Sequence, residues 1–386
     1  MKAVVLAALV CAVAAIVFGV SSARSRPSKP RHSPEFQASL APKQPASLSQ
    51  LLVLPRDQIM TCDVALMNLL CAEGLHGAEN LNTDNCLTTL AQWARCVDFE
   101  TQRHLYRYRK NPAEFDHSEA KLRMLMLGVV LQTNFGVRYN PERITPVGVF
   151  EPNHVFFADS RDVLLHGLVG ERRMGTCSSL PVLYVAVGRR LGYPLKLVKT
   201  KSHLLARWDS PSEYFNIEAT GRGVGWYDDD HFKQWPIPAS EEEITAFGLL
   251  KSMTPAEELA VFLTIRGSCL QAQGRATEAI GAYEQAVQFD PASQEYRLIL
   301  AVARHEFAGD AYKSSGSGST GYQPVPSGDL PDGTHSVFAP GFSGLPPAGI
   351  PPLPRPGVSF VPARPNPFHP SLPQIRIPNP YPQGGP

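Results

Sequence analysis

From Ser314 the chain reads "SSGSGSTGYQPVPSGDLPDG" and later "LPPAGIPPLPRPGVSFVPARPNPFHP", and more than half of its 36 prolines fall in this last stretch. Proline has no N–H to give a helix interior or a central strand, and the surrounding Gly and Ser keep the backbone loose. Residues 312–386 are therefore expected to be a disordered Pro/Gly-rich tail, so any fold must come from what precedes them. The segment "PPLPRP" has the form that aromatic-lined grooves bind, set against the plainer role of a solvated spacer.

The other end is just as constrained. "MKAVVLAALVCAVAAIVFGVSSARS" offers one Lys, a long apolar run and then Ser21-Ser22-Ala23, the small-residue pattern of a cleavage site. Residues 1–23 are expected to be a signal peptide or a membrane anchor, which makes the protein extracytoplasmic, secreted or membrane-anchored. Arg24, Arg26, Lys29 and Arg31 follow at once and disfavour passage, so an anchor facing the cytoplasm is the competing reading. Residues 24–50, rich in Pro, Ser and charge, are expected to be a linker.

Between these ends lie roughly 260 residues, enough to bury a sizeable core. The net charge is +1 with scattered basic residues, which sets nucleic acid aside as a partner. Residues 51–140 are expected to be a helical subdomain. In "CDVALMNLLCAEGLHG" apolar residues recur at Val64, Met67, Leu70 and Leu75, with Gly77 as the stop. "LNTDNCLTTLAQWARCVDFE" repeats the pattern through Leu87, Leu90, Trp93 and Val97, with Asp84 or Asn85 available as cap, so the two form a hairpin. A third helix runs over "SEAKLRMLMLGVVLQTNFG" to about Gly136.

Four cysteines sit on the hairpin. Within one arm the sulfurs are about 14 Å apart, too far to bond. Across the arms, facing positions keep a nearly constant index sum, which admits Cys62 with Cys96 and Cys71 with Cys86. Small residues lining a helix seam are the alternative.

The chemistry concentrates in "RRMGTCSSLPVLYVAVGRRLGYP". Leu180, Leu183, Val187 and Leu191 fall at helical spacing, Pro181 suits the first turn, Gly192 and Pro194 end the helix, and Thr176 or Ser178 can cap it. Cys177 is thus expected at a helix N-terminus, where free N–H groups favour a thiolate. A nucleophilic thiol needs a base, and His203 lies in the strand-like "LKLVKTKSHLLARWD". A second strand candidate, "YFNIEAT", puts Asn216 and Glu218 on one face after the turn-like "WDSPSE". Helix with Cys, strand with His, strand with carboxylate is the order in which an acid orients an imidazole that deprotonates a thiol.

On these residues the chain resembles the transglutaminase-like superfamily, with its papain-like cysteine fold, over about residues 50 to 250 and nearest its SirB-type bacterial branch. The resemblance implies that Cys177 in "GTCSSLPVLYVAVGRRLGYP" is the nucleophile and His203 in "KSHLLARW" the base. "NIEAT" stands where the family has an Asp-Pro-Thr-like segment, which gives Glu218 the third role, with Asn216 as rival. Glu for Asp and Ala219 for Pro are departures.

The expected fold class is α+β, with the transglutaminase-like core at 141–250 and one tetratricopeptide repeat plus capping helix at 251–311. A repeat of about 34 residues starting at Ala260 places Leu263, Gly267, Ala279, Tyr283, Ala286 and Pro291 at its signature positions. One such unit cannot stand alone, so it must pack on the preceding domain. The expected activity is attack of Cys177 on an amide of a protein or peptide, with water or an amine as acceptor. The rival is an inactive scaffold that recruits a protein partner through the repeat or the Pro-rich tail. No cofactor or metal is expected: "YDDDHF" reads as a solvated loop, Cys269 as an inert buried thiol, and His166 as packing between helical region and core, or lining the cleft.

Overall fold

The computed structural model describes residues 44–144, 153–221 and 223–315. The expected signal or anchor, nearly all of the linker, and the Pro-rich tail lie outside them. Among the described residues no helix is long and apolar enough to cross a membrane.

Order begins before residue 51, because Ser47 caps a short helix, Leu48–Leu52, that buries Leu51. Helix α1 (Val64–Leu70) starts where the Asp63 carboxylate accepts the N–H groups of Ala65 and Leu66, and every one of its residues is buried. It stops at Cys71, well short of the expected Gly77. Helix α2 (Thr83–Lys110) is capped by Asn82, whose side chain accepts from the Asn85 N–H, rather than by Asp84 or Asn85. It buries Leu90, Trp93, Val97 and Leu105.

The nested disulfides placed Cys62 and Cys71 together on one helical arm, whereas Cys62 lies before α1 and Cys71 at its C-cap. Cys62, Cys71 and Cys86 are free thiols, and neither link forms.

Helix α3 (Glu119–Val129) is capped by Ser118 and continues as a wider turn, Val130–Asn134, before Gly136 takes φ +69° and ends it. Two short parallel strands, β1 (Arg138–Tyr139) and β2 (Met174–Gly175), then bring the segment before Cys177 against the end of this helical region. Helix α4 (Leu180–Arg190) follows, almost wholly buried.

The sheet is an antiparallel meander, β3 (Leu195–Thr200), β4 (His203–Ser210), β5 (Glu213–Glu218) and β6 (Gly225–Tyr227), in that spatial order. The single strand expected over "LKLVKTKSHLLARWD" is in fact a hairpin. Ser202 adopts φ +69° and turns the chain at Lys201–Ser202, which pairs Thr200 with His203.

After two short helices, Asp229–Gln234 and Glu241–Phe247, come α5 (Pro255–Ala272), α6 (Ala276–Phe289) and α7 (Gln294–Ser315), the last running past the expected start of the tail at 312. Thr254 and Glu257 form a capping box on α5. Gly267 lies against the Tyr283 ring so closely that any Cβ would collide with it. Gly274 takes φ +73° between the helices.

The result is a mixed helix and sheet protein with one main core, running from Leu51 through α4 and the sheet to Ala303. Arg189 at the end of α4 meets the fully buried Glu258 of α5 through two hydrogen bonds of 2.9 and 2.5 Å. Removing one partner of such a pair strands a buried charge, at a cost of about 3–5 kcal/mol.

Candidate active site

Cys177 lies in a turn that leads into α4. The Thr176 carbonyl accepts the N–H groups of Ser179 and Leu180, and its hydroxyl lies 3.4 Å from the Ser178 N–H, but α4 starts at Leu180 with Ser179, not Thr176 or Ser178, in the cap position. The Thr176 and Ser179 hydroxyls both donate to the Asp162 carbonyl, at 3.0 and 3.2 Å. The Asp162 side chain is itself buried and held by Asn140, Arg143 and Arg172, each at 2.9 Å. Asp162, its carbonyl bound to the turn and its side chain fully engaged, thus fixes the turn on which the thiol stands.

His203 opens β4, and Glu218 closes β5. The ladder sets Ala206 opposite Ile217 and Arg207 opposite Asn216, so His203, Arg207, Asn216 and Glu218 share one face. The Glu218 Oε2 lies 2.8 Å from the His203 Nε2. The other carboxylate oxygen accepts the Thr220 N–H at 2.8 Å and the Thr220 hydroxyl. Cys177 is close enough to the same imidazole to act on its charge.

Burial opposes charge on His203, but the Glu218 carboxylate and Cys177 override it and raise its pKa to about 10. Burial likewise pushes Glu218 up, and the facing imidazole with Thr220 holds it below the usual carboxylate range instead. The Trp235 ring meets His203 edge-on at 4.7 Å between centroids.

The structure therefore brings Cys177, His203 and Glu218 together. Asn216 is engaged elsewhere: its oxygen accepts from the buried Arg207 at 2.6 Å and its amide donates to Asp229 at 2.7 Å. "YDDDHF" is not a loop but enters a short helix, Asp229–Gln234, capped by Asp228, while Asp229 pairs with Arg207. His166 is buried against Ser160, 3.2 Å away, and desolvation lowers its pKa to about 4. Cys269 is buried in α5, and desolvation raises its thiol far above the ordinary value.

Sequence reasoning missed Asp162, Thr220, Trp235 and Gln132. Only Thr220 carried a local signal, as the last residue of the "NIEAT" segment. Gln132 binds across the fold, donating to the Tyr184 hydroxyl at 3.0 Å and the Gly223 carbonyl at 2.9 Å, and so ties the chain after Glu218 to α4.

The mouse (Mus musculus) protein "F-box only protein 21" is similar to this chain, 33% identical over 82 residues that make up 19% of the chain and 13% of the mouse protein. The chain therefore spans only a small part of that relative. No solved structure matches the chain. A family model of the transglutaminase-like superfamily matches residues 103–246. Cys177, His203 and Glu218 all fall inside that match, and residues 103–246 are a transglutaminase-like superfamily domain.

Proposed function

We propose that this chain is a cysteine enzyme acting on amide bonds through Cys177, His203 and Glu218. The observation that carries the reading is the single imidazole that meets a thiol on one side and a carboxylate 2.8 Å away on the other. With Glu218 behind it, His203 is basic enough to hold the Cys177 proton before the sulfur attacks a carbonyl carbon. The proton then passes to the leaving amine, the C–N bond breaks, and a thioester remains on Cys177. Water resolves it to an acid, or a second amine resolves it to a cross-link. The substrate class is a protein or peptide, and the arrangement follows the papain-like order of the SirB-type branch.

The helices α5 and α6 carry the small residues of one tetratricopeptide repeat, and in this reading they support the core and offer a protein-binding arm together with the Pro-rich tail. Export or membrane tethering by the N-terminal segment belongs to the same proposal. A second reading, an inactive scaffold, draws on one observation: Cys177 has no solvent-exposed surface. A substrate needs that cover to open.

The test is iodoacetamide labelling of the native chain followed by peptide mapping. Labelling of Cys177 ahead of the other buried thiols, Cys71 and Cys269, supports the enzyme. Equal protection of all three supports the scaffold.

A further inference from the structure

Beside Cys177 stands a polar group that the triad leaves idle. Thr176 and Ser179 are three residues apart on a helical turn and share a face, since both hydroxyls donate to the Asp162 carbonyl. Cys177 and Ser178 lie between them on the same turn, with neither side chain bonded to that carbonyl. Ser178 is fully buried, and among the described residues its Oγ has no hydrogen-bond partner. Its neighbours on the same turn are satisfied, so the orphan is local to this one hydroxyl. Buried hydroxyls are rarely left unpaired, and an exception next to a reactive group points to a partner that arrives with substrate.

We infer that Ser178 is a catalytic residue whose hydroxyl donates to the oxyanion formed when Cys177 attacks a carbonyl. The inference rests on the acyl-transfer reading of Cys177. As the S–C bond forms, the carbonyl π pair moves onto oxygen, and the Ser178 O–H hydrogen-bonds to it while keeping its own proton. When the pair returns, the bond to the leaving group breaks and the thioester remains. A donor already placed in a dry interior, with no bond to give up, is suited to charge that exists only in the transition state.

Two small probes separate this role from simple support of the thiol. p-Nitrophenyl acetate acylates a thiol through a tetrahedral oxyanion, whereas iodoacetamide alkylates the same sulfur by displacement at carbon, with no oxyanion. In the full chain, Ser178→Ala should slow nitrophenolate release from Cys177 by about 100-fold. It should leave iodoacetamide alkylation of Cys177 unchanged. Its melting temperature should hold or rise, because an unsatisfied buried hydroxyl has been removed. Thr101→Val, which deletes another buried orphan hydroxyl in α2, serves as control and should alter neither rate.

Wild-type ester acylation in Ser178→Ala overturns the inference, and so does equal slowing of both probes. Absence of acylation at Cys177 in the wild-type chain removes the acyl-transfer reading, and Ser178's role with it. Wild-type acylation untouched by Ser178→Ala removes Ser178's role alone.

Discussion

Cys177 and Cys269 are equally hidden, each with 0% exposure, yet they stand in opposite electrostatic settings. The charges that reach Cys269 are Arg266 and the carboxylates of Asp159 and Asp162, and desolvation dominates them all, driving the thiol far above its ordinary pKa. Cys177 instead faces an imidazole that Glu218 and the thiol itself hold to about 10. Burial by itself silences a thiol. Burial beside a base with an acid behind it makes a candidate nucleophile, because the low dielectric strengthens the pairing that it would otherwise forbid.

The strongest way to break that contrast is to remove the base. His203→Ala should lower iodoacetamide labelling of Cys177 at neutral pH by about 100-fold, a usual share for a positioned base. Cys269 should react as it does in the wild-type chain. Site-resolved peptide mapping reads both rates in one sample. Labelling of Cys177 that holds or rises would mean that access, rather than the imidazole, sets its reactivity.

Glu218→Gln acts one step further back and should slow the same labelling by at least about tenfold. It also predicts a change in how stability depends on pH. His203 has its pKa raised from 6.5 to about 10 on folding, so its contribution is complete below pH 6.5 and is lost as pH rises through about 10. Glu218 is shifted the other way, so its contribution is present above its unfolded value and is lost as pH falls. Wild-type melting temperature should therefore decline from pH 6.5 towards 10. In Glu218→Gln the alkaline decline should largely vanish, since the carboxylate that raises the His203 pKa is gone. A wild-type curve flat over that range would show that the pair is not formed in the folded protein.

What could be read beforehand was local. Cys177 ahead of Pro181 and an apolar stripe, His203 within one strand-like run and Glu218 in the next, and small residues at Gly267 and Ala279 all follow from residue spacing. The failures were of two kinds. Where elements stop depended on neighbours: α1 ends at Cys71 although Leu75 keeps the apolar spacing, and the break at Lys201–Ser202 rests on a left-handed Ser that nothing in "KTKSH" demands. The support of the site depended on contacts distant in sequence, such as Asp162 beneath the Thr176–Ser179 turn and Gln132 bound to Gly223. Such pairings have no periodic signature, because the partners meet only after the chain has folded. That Glu218 rather than Asn216 meets His203 is of this second kind, since Arg207 and Asp229 engage the asparagine.

The smallest effect belongs to the other thiol. Cys269→Ala deletes one buried sulfur from α5, where the chain around it, from Leu259 through Leu270, is packed into the main core. The loss is that of a small apolar group plus the void it leaves, about 1 kcal/mol, or a melting temperature lower by about 2–4 °C. Because burial raises the Cys269 thiol and His203 stands beside Cys177, labelling and ester acylation at Cys177 should not change. Measuring both on one preparation sharpens the contrast between a thiol that packs and a thiol that reacts. If Cys269→Ala slowed acylation at Cys177 beyond what its lower stability explains, the two thiols would be coupled through the shared core, and the helices α5 and α6 would be part of the catalytic unit rather than its support.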